Sequence, residues 1–363
     1  MHYIASPFWG GGEQYVYDLS VTLQADHAVR SVFVCQPGTS EEVLARWRAI
    51  GHVYCMHPKT KNGKFSYIEA LRLARIMRRE EVDVLHMHDM KDYFLCAYAK
   101  LFCLRRIRLV ATRHLIAPAK NKASWRWVYR RIDHMLFVSQ RAADAFMVQP
   151  AVRRSFRHAV VVPNSIRLTD IPSDHPPLRT QYAIYPTLPL VLYHGRICRE
   201  KGIVQLLQAL APTFKGQYAF ILAGSVDDDV REELDALMQQ PSIAPYIHLL
   251  GFRRDVASLI KQCQWGVLPS IVPEAASLSL LEHMSMGSAV IASDNGSQPE
   301  YAVNGKEAIL LPPGQWEAWK EALESWAKEP QRAEQIGAEA KKRFLRDFTY
   351  THFTETIYAI YMH

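Results

Sequence analysis

PSIVPEAASLSLLEHMSMG, residues Pro269 to Gly287, opens with Pro269, Ser270 and Pro273, which belong to a loop, and then carries Leu278, Leu281 and Met284 at helical spacing. The pattern predicts a helix that begins near Ser277. Glu274 precedes it and Glu282 lies eight residues further on, so a continuous helix would separate the two carboxylates by roughly 12 Å. That is too far for a catalytic dyad and suits the two ends of one extended ligand. Between them Ala275, Ala276 and Ser277 are small, which lets a ligand approach backbone N–H groups at a helix N-terminus, where free donors and the positive dipole end favour an anion. An anionic group with hydroxyls on either side describes a sugar nucleotide. Two solvated glutamates flanking a strand-loop-helix unit describe the same residues equally well, so the rest of the chain has to decide.

The preceding sequence alternates strand and helix. Strands are expected at His2 to Ser6, Ser31 to Cys35, Val53 to His57, Val84 to His88, Arg108 to Thr112 and Met135 to Ser139, with helices at Gln14 to Leu23, Ser40 to Ile50 and Tyr67 to Arg79. Alternation of this kind is the mark of a parallel sheet covered by helices on both faces, whose ligands bind at the carboxyl ends of the strands. Val160 to Ser165 closes this half, and prolines 172, 176, 177, 186 and 189 mark a linker. A second alternating half follows, with strands at Leu190 to His194, Ala219 to Ala223, Ile247 to Leu250, Trp265 to Pro269 and Ala289 to Ser293, and helices at Val204 to Leu210 and Val256 to Gln262. An apolar and aromatic helix, Tyr350 to His363, ends the chain.

Several strand ends carry chemistry. After the first strand, Trp9, Gly10, Gly11, Gly12 and Glu13 form a loop that lets backbone come close to a bulky ligand, although no third glycine completes the dinucleotide fingerprint. His86, His88 and Asp89 end one strand, and residues two apart share a face, but no further ligand group recurs nearby and a metal is not expected. Arg113 and His114 end the next. In the second half Arg196 and Lys201 flank a tight turn after a strand, where two held cations can neutralise a diphosphate. Asp227, Asp228 and Asp229 precede VREELDAL and read as helix-capping and dipole-complementing residues rather than metal ligands.

Taken in order, these motifs resemble the retaining GT-B glycosyltransferases of family 4, the glycosyl transferases group 1. The resemblance rests on Gly11, Gly12 and Glu13 of the glycine-rich loop, on His114 after a strand, on Gly195-Arg196 followed by Lys201-Gly202, and on Glu274 and Glu282 before Met-Ser-Met-Gly and the strand Ala289 to Ser293. It implies two doubly wound, Rossmann-like α/β domains facing a central cleft. Residues 1–168 would form the acceptor-side domain, 169–188 a Pro-rich linker, 189–345 the nucleotide-sugar domain, and 346–363 a helix crossing back to the first domain. The implied donor-binding residues are Gly11, Gly12, Arg196, Lys201, Ser277, Leu278 and Glu282. The implied catalytic residues are His114, which would orient the sugar near its 6-hydroxyl, and Glu274, which would hold sugar hydroxyls. Glu13 and His88 fall on the acceptor side. Neither a metal nor a cofactor is implied. The usual Glu-Gly-Phe-Gly-Leu reads here as Glu274-Ala275-Ala276-Ser277-Leu278, and Ser165 stands where a glycine is usual.

Charge adds a partner class. The chain is 363 residues long with a formal net charge of +7, and residues 1–165 hold 25 Lys and Arg against 13 Asp and Glu, the remainder 18 against 23. A basic first half suits an anionic partner such as acidic lipid headgroups, and equally suits solubility. No helix-turn-helix, RRM-like or zinc-finger pattern accompanies it, so nucleic acid is not expected. Trp125, Trp127 and Tyr129 interleaved with Arg126, Arg130 and Arg131 suit a membrane interface, or an ordinary packed helix leading into the next strand. The six cysteines show no paired motif and read as reduced core residues. MHYIASPFWGGG lacks the features of a signal peptide and no apolar run is long enough to span a bilayer, so the expected location is cytoplasmic, with peripheral contact at the inner membrane face as an extension. The expected partners are a nucleoside-diphosphate sugar and a glycan or lipid-linked acceptor, in cell-surface polysaccharide or lipopolysaccharide synthesis. Two other classes remain open: a nucleotide-sugar epimerase of the same fold, marked by free product without an acceptor, and an inactive nucleotide-sugar-binding protein, marked by no turnover of any donor.

Overall fold

The computed structural model describes residues 1–4, 9–56, 66–167 and 177–363. They divide into two compact units, Met1–Pro163 together with Thr351–His363, and Asn164–Tyr350. The first unit holds a parallel sheet of β1 (His2–Ile4), β2 (Val32–Cys35), β3 (His52–Cys55), β4 (Val84–Met87), β5 (Arg108–Arg113), β6 (His134–Phe137) and β7 (His158–Val161), in the order β3-β2-β1-β4-β5-β6-β7. The second holds β8 (Leu190–His194), β9 (Ala219–Ala223), β10 (Ile247–Gly251), β11 (Trp265–Leu268), β12 (Ala289–Ser293) and β13 (Ile309–Leu311), in the order β10-β9-β8-β11-β12-β13. Each order reverses once, between β1 and β4 and between β8 and β11. At such a reversal the loops leaving adjacent strands turn to opposite sides and leave a crevice at the carboxyl ends.

The strands are apolar on both faces because helices cover both. In the second unit Val191, Tyr193, Phe220, Leu222 and Val267 pack against Leu207, Trp319 and Leu323 on one side. Leu190, Leu192, Ala219 and Ile221 turn to the other side, against Leu178, Leu259 and Ile260, as the two-residue period of a strand requires. A third cluster joins Leu281 and Met284 of the helix Leu278–Met286 to Val290, Ala292, Ala340 and Phe344. The helix that ends the quoted stretch is thus held from behind by apolar contact, and its N-terminal end lies beside the β8–β11 reversal.

Several boundaries differ from expectation. The first helix spans Gly11–His27 rather than starting at Gln14, because Gly10 serves as its cap. Ser6 and His57, expected in strands, and residues 169–176 of the expected linker lie outside the described residues. Residues 177–188 belong to the second unit, where Leu178–Gln181 is a short helix and Leu178 is buried in the core. Ser165 does not close the first unit; its hydroxyl donates to Phe348 O at 2.5 Å within the second. In the first unit, the closing helix Tyr350–Met362 stacks Tyr358 on His27 at 3.7 Å and brings the Tyr361 hydroxyl within 2.6 Å of His86 Nδ1. Five of the six cysteines are buried, Cys55 is exposed, and all are free thiols.

Trp319 has no exposed surface and packs in the larger core of the second unit. Trp319→Ala is expected to lower the stability of that unit by about 3–5 kcal/mol, the usual cost of emptying a large aromatic site, read as a shift in its urea transition.

Candidate functional site

In the second unit the loop after β8 and the loop after β11 are laced together. Ile271 N donates to Glu200 O at 2.8 Å. Gly202 holds φ at 72° and lies so close under Pro269 that a Cβ would come within 2.1 Å of its carbonyl oxygen, so glycine is required there on both counts. Lys201 Nζ then reaches Glu274 Oε1 at 2.9 Å, and the Ser270 hydroxyl donates to the same oxygen. The loop after β12 completes the cradle: Asn295 Nδ2 donates to Ser270 O and Ile271 O, each at 3.1 Å, and Ser297 N donates to Glu274 O at 2.8 Å. A carboxylate fixed by the Ser270 hydroxyl beside an ammonium, on a backbone tied to the neighbouring loop, presents a hydroxyl acceptor and an anion-binding cation side by side.

Glu274 and Glu282 do not share one helix. Glu274 lies in the loop, Ser277 is the residue before the first turn, and Glu282 lies inside the helix Leu278–Met286, so the spacing along a continuous helix does not apply. Ser277 makes no side-chain cap, which leaves the first-turn N–H groups, beginning at Leu278, to a ligand. None of residues 275–277 has positive φ, so alanine and serine stand in place of the family's glycines without strain. Glu282 has a different partner, His194 Nδ1 at 3.4 Å, at the end of β8. Burial holds His194 down at about 4 and pushes the Glu282 carboxyl up to about 7, so the two meet as a neutral ring and a carboxyl that titrates near neutrality. His283 is neutral as well, through burial and the nearby His194, and its Nδ1 lies 2.9 Å from Ser288 Oγ.

Arg196 is more than half exposed and lies 3.2 Å from Asp227 and 3.9 Å from Glu200. The aspartate triplet does not cap the helix Arg231–Leu237, whose preceding residue is Val230. It faces the arginines after β8 instead: Asp227 takes Arg196, and Asp229 Oδ2 accepts from Arg199 N at 3.1 Å. These carboxylates hold Arg196 and Arg199 at the strand end, a role that only the β8–β9 pairing reveals.

The first unit gathers its candidates at the β1–β4 reversal. Gly11 and Gly12 are the first residues of a helix, and the Glu13 carboxylate accepts from Gly10 N at 2.9 Å. Glu13 therefore closes the helix start with the side chain that had been expected to face an acceptor. His88 and His114 come together, Nδ1 to Nε2 at 3.4 Å. His2 joins them with its Nδ1 3.2 Å from His88 Nε2, and His86 bonds Thr112 Oγ1 at 2.7 Å. A third histidine beside His86 and His88 was not expected; three helices and two strands separate it in sequence, and only the sheet order brings it in. His2, His86 and His88 place ring nitrogens within 4.8 Å of one another, but both nitrogens of His86 are engaged by Thr112 and Tyr361. Trp125 and Trp127 of the helix Ala123–Tyr129 turn their rings onto Phe94 and Tyr98 and stay half-buried.

Residues 9–170 match the family model for Glycosyltransferase Family 4, and residues 174–343 match that for Glycosyl transferases group 1. The alpha-maltose-1-phosphate synthase of Mycolicibacterium smegmatis is 28% identical over 185 residues, 48% of this chain and 47% of that protein. The phosphatidyl-myo-inositol mannosyltransferase of Mycobacterium leprae is 25% identical over 348 residues, 92% of this chain and 89% of that protein. The chain spans about half the length of the first curated relatives it matches. Among solved structures, Anabaena HepE in complex with UDP and glucose superposes with a TM-score of 0.78 at 21% identity, covering 99% of this chain and 98% of that one, which shows a shared fold.

The Glu282 carboxyl binds its proton more tightly in the folded chain than at its ordinary value of 4.5. Its contribution to stability is therefore full below about pH 4.5 and is lost as pH rises to about 7. His194 and His283, held neutral by burial, add a slope of opposite sign, so the test is a difference: Glu282→Gln should gain on the wild type as pH rises through this window and hold a constant advantage above it, in thermal midpoints measured from pH 4.5 to 8.

Proposed function

As a member of glycosyltransferase family 4 and the glycosyl transferases group 1, with the GT-B fold, the chain is a glycosyltransferase, and we propose that it moves a sugar from a nucleoside-diphosphate sugar to a glycan or lipid-linked acceptor with retention at the anomeric carbon. The observation that carries this reading is the Lys201–Glu274 pair at the β8–β11 reversal, beside Arg196 and the uncapped helix start at Ser277 and Leu278.

The difficult step is departure of a nucleoside diphosphate while positive charge grows on the sugar. Arg196, Lys201 and the first-turn N–H groups stand where that phosphate charge would develop, which is catalysis by prearranged electrostatics. The acceptor hydroxyl oxygen forms the new bond to the anomeric carbon as the bond to the phosphate oxygen breaks. Its proton passes to an oxygen of the departing phosphate on the same face, so no protein base is needed. Glu274 accepts from sugar hydroxyls and Glu282 from the ribose hydroxyls. His114, in the first unit, orients the sugar near its 6-hydroxyl. Two cations and a helix end supply the positive charge that a divalent metal would otherwise bring, and metal-independent transfer follows.

The acceptor belongs to cell-surface glycan synthesis in this reading, with the enzyme cytoplasmic and peripheral to the inner membrane face. A basic first unit supports the membrane contact, and so does the helix Tyr67–Arg79, which exposes Tyr67, Ile68 and Leu71 beside Arg72 and Arg75. Among the described residues no helix is long and apolar enough to cross a membrane.

Thermal midpoints with UDP-, GDP- and ADP-sugars, in chelator, test the donor site: a ligand bound only by the native state raises apparent stability by mass action. One nucleotide should give a clear shift that Arg196→Ala and Glu282→Ala each reduce; an unreduced shift in Glu282→Ala would remove the ribose assignment. For the membrane, Ile68→Asp should release the protein from phosphatidylglycerol vesicles in a sedimentation assay, while wild-type binding should fall with added salt.

A further inference from the structure

His114 has two ring nitrogens, and its neighbours decide which of them carries the proton. Nε2 lies 3.4 Å from His88 Nδ1, and His88 Nε2 lies 3.2 Å from His2 Nδ1. The rings meet edge to edge and lie near one plane, His88 standing 5.4 Å from His2 and 5.7 Å from His114 between centroids with interplanar angles of 22° and 28°. Behind them His2 stacks on Phe33, and Tyr15 sets its edge against both His88 and His114. Burial and mutual repulsion hold His2 and His88 far below the ordinary imidazole range, and burial with Arg113 brings His114 to about 4. All three are neutral at physiological pH, so each carries one proton.

A neutral imidazole donates from one nitrogen and accepts at the other. A proton on His114 Nε2 therefore requires a bare Nδ1 on His88, a proton on His88 Nε2 and a bare Nδ1 on His2. Reversing the first bond reverses them all. The chain has two self-consistent states, and the choice made at His2 is the choice made at His114. His86 stands outside it, with both nitrogens taken by Thr112 and Tyr361.

We propose that His2, acting through His88, is a positioning residue that sets the tautomer of His114 and so decides whether His114 Nδ1 presents a lone pair or an N–H to the donor sugar. The proposal rests on the reading that His114 orients that sugar. A hydroxyl bound at Nδ1 would be met by the complementary group only in one of the two states; in the other, donor faces donor or acceptor faces acceptor. The link between His88 and His114 is long for a hydrogen bond, and such bonds at reaction centres tighten when substrate arrives.

The test uses the full chain with 15N-labelled histidine and two-bond proton–nitrogen correlation spectra, with His114 assigned by His114→Gln. The wild type should show His114 in one tautomer. His2→Phe, which keeps a ring against Phe33 but has no nitrogen, should give averaged His114 shifts, and His2→Asn, whose amide stands near the place of Nδ1, should restore a single state. Turnover of UDP-glucose should follow: kcat about tenfold lower in His2→Phe with KM within twofold, as when an outer partner that orients a histidine is lost, and recovery in His2→Asn. If His2→Phe does not fold, His88→Phe breaks the chain one link nearer and must give the same averaging. An unchanged single tautomer in a folded chain-breaking variant overturns the proposal. Undiminished turnover in His114→Ala overturns the reading of His114 instead, and the spectra still judge the chain of rings on their own.

Discussion

The adjacency of β8 and β11 is the constraint on which the candidate donor site depends. The two strands are neighbours in the sheet although seventy residues separate them, and the loops that leave them meet as a result. Lys201 reaches Glu274, Glu200 O receives Ile271 N, and Gly202 slides under Pro269 only because of that pairing. Apolar packing on both faces of the sheet, and behind the helix Leu278–Met286, supplies the rigidity. Polar residues at the strand ends inherit it, which is how a flexible lysine becomes a positioned one.

The first unit uses the same device with different chemistry. β1 lies beside β4, and β4 beside β5, so His2, His88 and His114 line up across three strands. Buried imidazoles without partners would be costly. Here each is paired with another ring or with a hydroxyl from Thr112 or Tyr361. One hydroxyl, that of Tyr361, comes from the closing helix, so the end of the chain helps to hold the histidines at its beginning.

Much of this was legible in the residues, and the misses have physical causes. Strands Leu190–His194, Ala219–Ala223 and Ala289–Ser293 fall where the apolar runs place them, because buried parallel strands are apolar throughout. Arg196, Lys201 and Glu274 were visible as charged residues in the loops after strands, and Glu282 as a charged residue in the helix that follows. Their pairings were not: that Asp227 would hold Arg196 and His194 would stand beside Glu282 depends on which strands are neighbours. The aspartate triplet looked like a cap because a helix follows it, and only the β8–β9 contact assigns it to the arginines. The bond from Gly10 N to Glu13 was hidden as well, since the residues before Glu13 read as a loop while a helix starts at Gly11 with Gly10 as its cap. His2 carried no signal, as a lone histidine on a short apolar strand resembles any core position. The three-residue strand β13 is too short for periodicity to register.

The central claim is that the nucleoside diphosphate lies on the second unit at the β8–β11 reversal. Amide hydrogen exchange of the intact chain, with and without a saturating nucleotide, addresses it most directly. The account predicts slowed exchange in peptides covering Gly195–Gly202 and Glu274–Glu282, the latter including the first turn of the helix at Leu278. Protection confined to other segments, with these two unchanged while the nucleotide is bound, would contradict it.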